Sequence, residues 1–184
     1  QDTQTYYKCG TCFSIFIDKE QFPDSKREKE RYELHSDDSA DDGYRKFVSP
    51  LTHAISNDFS PEDKGLDFGS GTSCIISVLL KEENYNILNY DPYFHNNPEL
   101  LKEKYDYISS CEVIEHFYNP YKEFTLLKSM LKKNAKLYIM TGVYNEGINF
   151  ATWYYKNDST HVFMYTKETF EWIKKEFCFS SVKV

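Results

Sequence analysis

The chain has 184 residues, of which 40% are hydrophobic and 17% aromatic, and its formal net charge is −7. This length fits one domain with a small appendage, and the acidic charge disfavours a general nucleic-acid binder, which needs cationic charge to displace counterions from phosphates. The longest nearly apolar run, residues 74–80, is far shorter than the roughly 20 residues that a bilayer requires. The start shows no signal-peptide pattern and the five cysteines are an odd number, so we expect a reduced, cytoplasmic protein with no membrane partner.

The N-terminal part of the chain changes composition once. Residues 1–17 are aromatic and contain Cys9-x-x-Cys12, whereas residues 18–46 are densely charged, which predicts a solvated helix followed by a loop. The cysteine pair is half of a zinc knuckle. A structural zinc needs four ligands, and the sequence has no second Cys-x-x-Cys, so the site is incomplete within this sequence.

Helical and strand patterns alternate in the rest of the chain. Apolar residues at helical spacing from Phe47 to Ile55 predict a helix that Pro61 stops. The patterns that follow predict strand 65–68, helix 74–81, strand 85–90, strand 105–111, helix 120–131, strand 137–140, a helix at about 167–176 and a final strand at 177–184. Strand–helix–strand order implies parallel strands with right-handed crossovers. We therefore divide the chain into an N-terminal extension, residues 1–43, and an α/β domain, residues 44–184.

Three of the seven glycines fall within one seven-residue stretch. Gly69, Ser70 and Gly71 lie where a strand turns into a helix, and glycines there let a ligand lie against the backbone beside the positive end of the helix. A dinucleotide fingerprint would need Gly at position 74, which is Cys, and a P-loop would need a lysine. Asp67 at the strand end favours a cationic ligand, and S-adenosylmethionine carries an ammonium and a sulfonium.

A second acidic residue follows the next strand. Asp91 lies twenty residues beyond Gly71, where a carboxylate can accept both ribose hydroxyls of a nucleoside that lies across the strand ends. The alternative is a turn residue before Pro92. Tyr93 can stack on an adenine or be an ordinary surface aromatic. Together, Asp91 and the glycine turn predict a nucleoside site at the carboxyl edge of the sheet.

These motifs resemble those of class I S-adenosylmethionine-dependent methyltransferases, over about residues 44–184. Residues 66–72 are similar to the first motif of that family, Asp91 to its ribose-binding acid, and residues 105–116 to its fourth-strand motif. The resemblance implies a Rossmann-like, doubly wound, mostly parallel sheet in three layers, with the last (seventh) strand missing or truncated. It also implies S-adenosyl-L-methionine as the methyl donor, bound by Asp67, Gly69, Ser70, Gly71, Asp91, Pro92, Tyr93 and Cys111.

Glu112-x-x-Glu115-His116 places two carboxylates and an imidazole where they can converge on one side of a helical turn and bind a divalent ion. The pattern resembles the metal-binding motif of ubiquinone-pathway O-methyltransferases and of small-RNA 2'-O-methyltransferases. His161 matches the further histidine that the RNA enzymes take from a downstream segment. The resemblance implies Mg²⁺ or Mn²⁺ held by Glu112, Glu115, His116 and His161, where it would lower the pKa of an attacking hydroxyl. Without a metal, Glu-His at this place lines the pocket or caps a helix.

The resemblance implies an enzyme. We expect His116 and His161 as its catalytic residues on the acceptor side, because the segment that holds His161 should lie over the carboxyl ends of the sheet, where a histidine can be a general base or an ordinary capping or loop residue. The expected acceptor is a small-molecule hydroxyl. Two alternatives stay open: a cofactor-binding module without turnover, and a metal-assisted RNA-end 2'-O-methyltransferase. The acidic chain shows no path for a polyanion, which disfavours a nucleic-acid partner. Residues 6–12 are similar to the second knuckle of the zinc ribbon that precedes some bacterial methyltransferase domains. Residues 153–155 are expected to form a lid over the pocket rather than core.

Overall fold

The protein is described by a computed structural model that covers residues 4–33 and 41–184. The strands are β1 (Tyr6–Lys8), β2 (Ile15–Ile17), β3 (Lys64–Phe68), β4 (Asn86–Tyr90), β5 (Tyr105–Cys111), β6 (Leu131–Met140), β7 (Val143–Tyr144) and β8 (Phe163–Thr166). The α-helices are α1 (Ser25–Glu33), α2 (Asp42–Asp58), α3 (Ile75–Glu82), α4 (Pro120–Met130) and α5 (Lys167–Glu176). The loop predicted after the first charged helix falls on residues 34–40, outside the described residues.

The main sheet has the strand order β4-β3-β5-β6, and every neighbouring pair in it is parallel. Helices α2 and α3 cover one face, where Ile87 and Tyr107 are buried against them. Helices α4 and α5 cover the other face, where Leu66 and Ile108 are buried. Because neighbouring strand residues point to opposite faces, each strand supplies both layers of core. The fold is therefore the predicted three-layer α/β fold of Rossmann-like type.

Local sequence explains where the helices of this domain begin. The Asn119 side chain accepts a hydrogen bond from the backbone N–H of Lys122, and Pro120 occupies the first turn of α4. Thr166 and Thr169 form a capping box at the start of α5. Helix α1 differs, because its sequence SKREKERYE offers no apolar stripe to bury.

One prediction about strands is wrong, and another gives a strand that is too short. Residues 177–184 form no strand; instead Phe177 and Phe179 pack on the core face that α4 and α5 cover. Apolar alternation at the end of the chain therefore reflected packing on a core and not strand pairing. The strand predicted at 137–140 extends over the whole of β6, because the chain pairs with β5 directly after α4 ends at Met130.

A second sheet, which the sequence did not indicate, joins the N-terminal segment to the rest of the chain. Its order is β1-β2-β8-β7, and β2 pairs antiparallel with β8 through Ile15 with Met164 and Phe16 with Phe163. Strands of two to four residues are too short to show a periodic pattern.

The boundary between extension and domain at residue 43 stays a prediction. No helix in the described part of the chain is long and apolar enough to cross a membrane.

The close packing of β3 on β5 makes a prediction about stability. A Cβ atom added at Gly65 would overlap the buried ring of Tyr107, whereas one added at Gly10 would meet no atom within 4 Å. Because overpacking a core costs about 1 to 3 kcal/mol, Gly65→Ala should lower the free energy of unfolding in urea by that amount. Gly10→Ala is the control and should unfold like the wild type. Equal stability of both variants would contradict the packing of Tyr107 on Gly65.

Candidate active site

A cleft of about 1410 Å³ opens at the carboxyl ends of β3, β4 and β5. Ligands of open parallel sheets bind at this edge. Seven of the eight residues predicted to bind the cofactor line the cleft, namely Gly69, Ser70, Gly71, Asp91, Pro92, Tyr93 and Cys111. Glu112, His116 and His161 also line it. The structure thus brings the two predicted groups of residues together in one cavity.

The turn between β3 and α3 has the backbone shape that glycine allows. Gly69 and Gly71 have φ angles of 77° and 62°, in the left-handed region. The N–H groups of Gly69 and Ser70 donate to the carbonyl oxygen of Tyr90 at 2.8 and 3.1 Å, which ties the turn to β4. A Cβ at Gly71 would meet no atom within 4 Å, so the backbone of the turn borders open space in the cleft.

Asp91 has the role of a turn residue, which is one of the two roles that its position indicated. Its Oδ1 accepts hydrogen bonds from the N–H groups of Tyr93 (2.8 Å) and Phe94 (3.1 Å), which makes it the turn residue after β4. Its Oδ2 accepts the N–H of Gly71 at 3.1 Å and so joins the two loops. A carboxylate offers about four lone-pair sites, so three bonds leave capacity for a ligand on the cleft side.

Asp67 is the exception among the predicted cofactor residues. It does not line the cleft and is only 2% exposed, because its side chain points under α3. Its Oδ1 accepts a hydrogen bond from Ser109 at 3.0 Å, while Oδ2 has no hydrogen-bond partner among the residues that the structure describes. Burial raises the pKa of Asp67 to about 7. Direct contact between Asp67 and a cationic ligand is therefore not what this geometry provides.

The two histidines meet at the other end of the cleft. His116 ends a 3-10 turn after β5, and its Nδ1 lies 2.9 Å from the carbonyl oxygen of Thr160. The Nδ1 of His161 lies 2.7 Å from the carbonyl oxygen of Tyr155. Since a carbonyl oxygen only accepts, each Nδ1 carries a proton, and in a neutral ring of this tautomer the lone pair is on Nε2. Burial is the larger cause and the nearby His116 the smaller cause that together lower the pKa of His161 to about 4. This ring is therefore neutral at pH 7.

Glu115 stands between the histidines with its carboxylate fully buried. It accepts hydrogen bonds from the hydroxyl of Tyr155 and, at 2.9 Å, from that of Thr141. Glu115, His116 and His161 offer ligand atoms that all lie within 4.8 Å of one another. Glu112 lines the cleft but is not in this group. Burial, and for Glu112 also the charge of Glu115, raises the pKa of both carboxyls.

Sequence reasoning missed the part that α1 plays in the cleft. Ser25, Glu28, Arg31 and Tyr32 all line it. The polar face of a charged helix normally faces solvent, and no local pattern distinguishes a buried glutamate from an exposed one.

The lid predicted at residues 153–155 is only partly confirmed. Trp153 is buried and packs with Ile15 and Met164 in the core of the second sheet. Tyr155 is also buried there, but its edge lines the cleft. Tyr154 is 77% exposed at the cleft mouth. The side chains of a three-residue stretch therefore divide between core and cleft.

Cys9 and Cys12 lie far along the chain from these groups, at the tip of the β1–β2 hairpin. The N–H of Thr11 lies 3.4 Å from the Sγ of Cys9, and backbone hydrogen bonds from Cys12 and Thr11 lower the pKa of this thiol. Within residues 4–33 and 41–184, these two thiols are not part of a group of three or more potential metal ligands. The half knuckle has no complement in the described chain.

Comparison with known proteins agrees with the fold. Residues 41–184 match the family model described as a methyltransferase domain. The chain therefore belongs to the methyltransferase domain family, and its fold is that of class I S-adenosylmethionine-dependent methyltransferases. No curated protein matches it.

Two solved structures illustrate the likeness. A SAM-dependent methyltransferase from Archaeoglobus fulgidus is 21% identical, with a TM-score of 0.55 over 76% of this chain and 71% of that one. Phosphoethanolamine N-methyltransferase 2 from Haemonchus contortus, solved with phosphomonomethylethanolamine and S-adenosylhomocysteine, is 19% identical, with a TM-score of 0.54. The match covers 73% of this chain and only 38% of the nematode enzyme. At these identities the likeness concerns the fold.

Burial of Asp67 predicts a pH-dependent stability. Its folded pKa of about 7 exceeds the usual value near 3.9, so the folded protein keeps a proton that the unfolded chain loses between these pH values. Wild-type stability should therefore fall as the pH rises from about 4 to 7. Asp67→Asn does not titrate and still accepts from Ser109, so it should gain stability relative to the wild type over this range, by up to about 4 kcal/mol. Urea unfolding at several pH values measures the difference.

Asp106→Asn is a control for which the expected change in stability has the opposite sign. Despite partial burial of Asp106, hydrogen bonds from Lys132 and from the backbone N–H of Lys64 hold its pKa below the usual range. The variant should be less stable than the wild type at neutral pH, and the gap should close in acid. A pH-independent difference for Asp67→Asn would show that Asp67 ionises normally.

Proposed function

We propose that this domain transfers a methyl group from S-adenosylmethionine to the hydroxyl of a small molecule. Within its family we place it near the ubiquinone-pathway O-methyltransferases and regard Cys9-x-x-Cys12 as the remnant of a zinc ribbon. The observation that carries the proposal is the shape of the cleft. One end is bordered by a glycine turn and Asp91, and the other by the imidazoles of His116 and His161, whose Nδ1 atoms lie against backbone carbonyl oxygens.

The first end suits the donor. S-adenosylmethionine supplies a methyl group on a sulfonium centre. Gly69, Ser70 and Gly71 would hold its methionine end against bare backbone, since no atom of the described residues lies within 4 Å of a Cβ placed at Gly71. Asp91 would accept the ribose hydroxyls with its remaining lone pairs. Pro92, Tyr93 and the backbone near Cys111 would border the adenosine.

The second end suits a hydroxyl acceptor. The proton on Nδ1 of each histidine is held by a carbonyl oxygen, so Nε2 is the atom that can accept a proton from the acceptor. Because His161 is held neutral, it needs no prior deprotonation at pH 7. The wall of the cleft would hold the hydroxyl in place for attack, and alignment is what such a site chiefly contributes.

As an alternative to this general-base role, the same group of side chains would hold a divalent cation, and each Nε2 would then be a ligand and not a base. Glu115, His116 and His161 combine one carboxylate with two imidazoles, a donor set that suits Mn²⁺ better than Mg²⁺, which prefers oxygen alone. The Nδ1 bonds to backbone carbonyls fix both rings, as outer-shell partners do in metal sites. A bound ion supplies Lewis acidity toward acceptor oxygens. Glu112 would contribute from the edge of the site.

The charges of the cleft favour a small acceptor over RNA. Among the described residues, the carboxylates that line it include Glu28, Glu112, Glu123 and Asp158. Arg31, one of its cations, is already bound to Asp158 at 2.8 Å. A polyanion would meet net negative charge here, which opposes phosphate binding.

Substitution of Asp91 tests the donor site. Asp91→Ala should weaken binding of S-adenosylhomocysteine by about 1 to 3 kcal/mol, the usual range for a lost hydrogen bond to a charged group. Asp91→Asn keeps an acceptor for the turn and should lose less. Glu62→Ala, at an exposed site, is the control for calorimetry. Wild-type affinity in Asp91→Ala would mean that the nucleoside lies elsewhere.

Substitution of Glu115 tests the metal. Glu115→Gln should weaken Mn²⁺ binding, measured by the loss of the free-ion paramagnetic resonance signal, by more than the roughly 10- to 100-fold that an outer-shell change costs. Glu123→Gln changes another cleft carboxylate that is outside the group and should bind Mn²⁺ like the wild type. Equal Mn²⁺ binding by both variants would contradict the assignment.

A panel of small hydroxyl compounds and an RNA with a free 3' end distinguishes the acceptor classes. Methyl transfer to a small compound supports the proposal, and Mn²⁺-dependent transfer to the RNA alone would replace it with the RNA-end reaction. Tight binding of S-adenosylmethionine without transfer to either would identify a cofactor-binding module.

A further inference from the structure

We propose that Glu28 is a positioning residue that fastens α1 across the cleft and fixes the cofactor-side Tyr93 relative to the acceptor-side loop. The inference rests on the proposed function, because it assigns the end of the cleft beside Asp91 to the adenosine. It adds a residue outside the matched methyltransferase region, residues 41–184, to the working site.

Glu28 is an unusual residue for its helix. Helix α1 is almost entirely charged, and its other carboxylates are exposed, yet Glu28 is only 8% exposed. A buried carboxylate is costly unless it is hydrogen-bonded. Since α1 buries no apolar stripe, its place on the cleft depends on polar contacts, and those of Glu28 are central among them.

The carboxylate of Glu28 gathers tyrosines from three parts of the chain. Its Oε1 accepts the hydroxyl of Tyr32, from α1 itself, at 2.8 Å. Its Oε2 accepts the hydroxyl of Tyr93, from the loop after β4, at 2.7 Å. The hydroxyl of Tyr118, from the loop after β5, lies 3.4 Å from the same oxygen and 2.7 Å from the carbonyl oxygen of Pro23. One side chain thus joins the donor loop and the histidine loop.

A second path runs from α1 to His116. Arg31 donates to Oδ2 of Asp158 through two nitrogens, at 2.8 and 3.1 Å. The other oxygen of Asp158 accepts the N–H and the hydroxyl of Thr160, whose carbonyl oxygen holds the Nδ1 of His116. The ring of Tyr32 also meets that of His116 edge to face, with centroids 5.3 Å apart. Helix α1 is therefore bound to both ends of the cleft.

This arrangement has a kinetic consequence. Because Ser25, Glu28 and Tyr32 form part of the cleft wall beside Tyr93, a nucleoside bound at Asp91 lies next to α1. With Glu28 in place, Tyr93 is held by its hydroxyl and α1 limits escape of the ligand. Without it, the Tyr93 ring loses its anchor, so S-adenosylhomocysteine should dissociate faster.

The experiment compares S-adenosylhomocysteine binding to the wild type, Glu28→Ala, Glu28→Gln and Glu30→Ala, with calorimetry for affinity and stopped-flow displacement for the dissociation rate. Loss of a hydrogen bond to a charged group predicts roughly tenfold or greater weakening in Glu28→Ala, mostly as faster dissociation. Glu28→Gln keeps a side-chain oxygen and should recover part of the loss. Glu30→Ala, an exposed site on the same helix, should match the wild type.

If Glu28→Ala does not fold, Tyr93→Phe tests the same hydrogen bond from its other side. It retains the ring but removes the hydroxyl that Glu28 accepts, so it should also release the ligand faster. Combined with Glu28→Gln it should show less than the sum of the two effects, because both changes break the same bond. Wild-type dissociation rates in Tyr93→Phe and the Glu28 variants would overturn the inference. Failure of the wild type itself to bind S-adenosylhomocysteine would instead refute the proposed function.

Discussion

The backbone turn after β3 is the constraint on which the site depends. Gly69 and Gly71 adopt left-handed φ angles, and two N–H groups of the turn donate to the carbonyl oxygen of Tyr90. Gly71 then donates to Asp91, so the ends of two neighbouring parallel strands are joined by hydrogen bonds. A side chain at Gly69 would overlap Val113, which follows β5. Three strand ends therefore meet at this turn, and the cleft opens beside it.

Two buried carboxyl groups, those of Asp67 and Glu115, lie next to the site. Asp67 lies under the glycine turn and Glu115 behind the histidines, and burial raises the pKa of both. Burying such groups opposes stability, so their presence beside a cleft is typical of a functional site. One oxygen of Asp67 is held by Ser109, whereas Glu115 is held by Tyr155 and Thr141. The second arrangement places a ligand oxygen of Glu115 within 4.8 Å of ligand nitrogens of His116 and His161.

The N-terminal segment contributes to the cleft and to its support, together with the methyltransferase domain. Strand β2 pairs with β8, which begins two residues after His161. The β1–β2 hairpin therefore supports the segment that carries this histidine. Helix α1 closes one side of the cleft through Glu28 and Arg31. The sequence predicted a solvated charged stretch for this extension. Its residues instead line the cleft and form hydrogen bonds with Tyr93 and Asp158.

The sequence by itself determined the alternating order of helices and strands, the glycine turn and the place of Asp91 after the next strand, because these follow from periodicity, turn chemistry and spacing. The grouping of His116 with His161 came from the resemblance to known methyltransferases. It did not determine that Asp67 points beneath α3, that residues 177–184 pack without pairing, or that Glu28 is buried. Those outcomes depend on contacts between segments far apart in the chain. Side-chain direction at a strand end and burial on a charged helix are decided only by what the rest of the fold places opposite them.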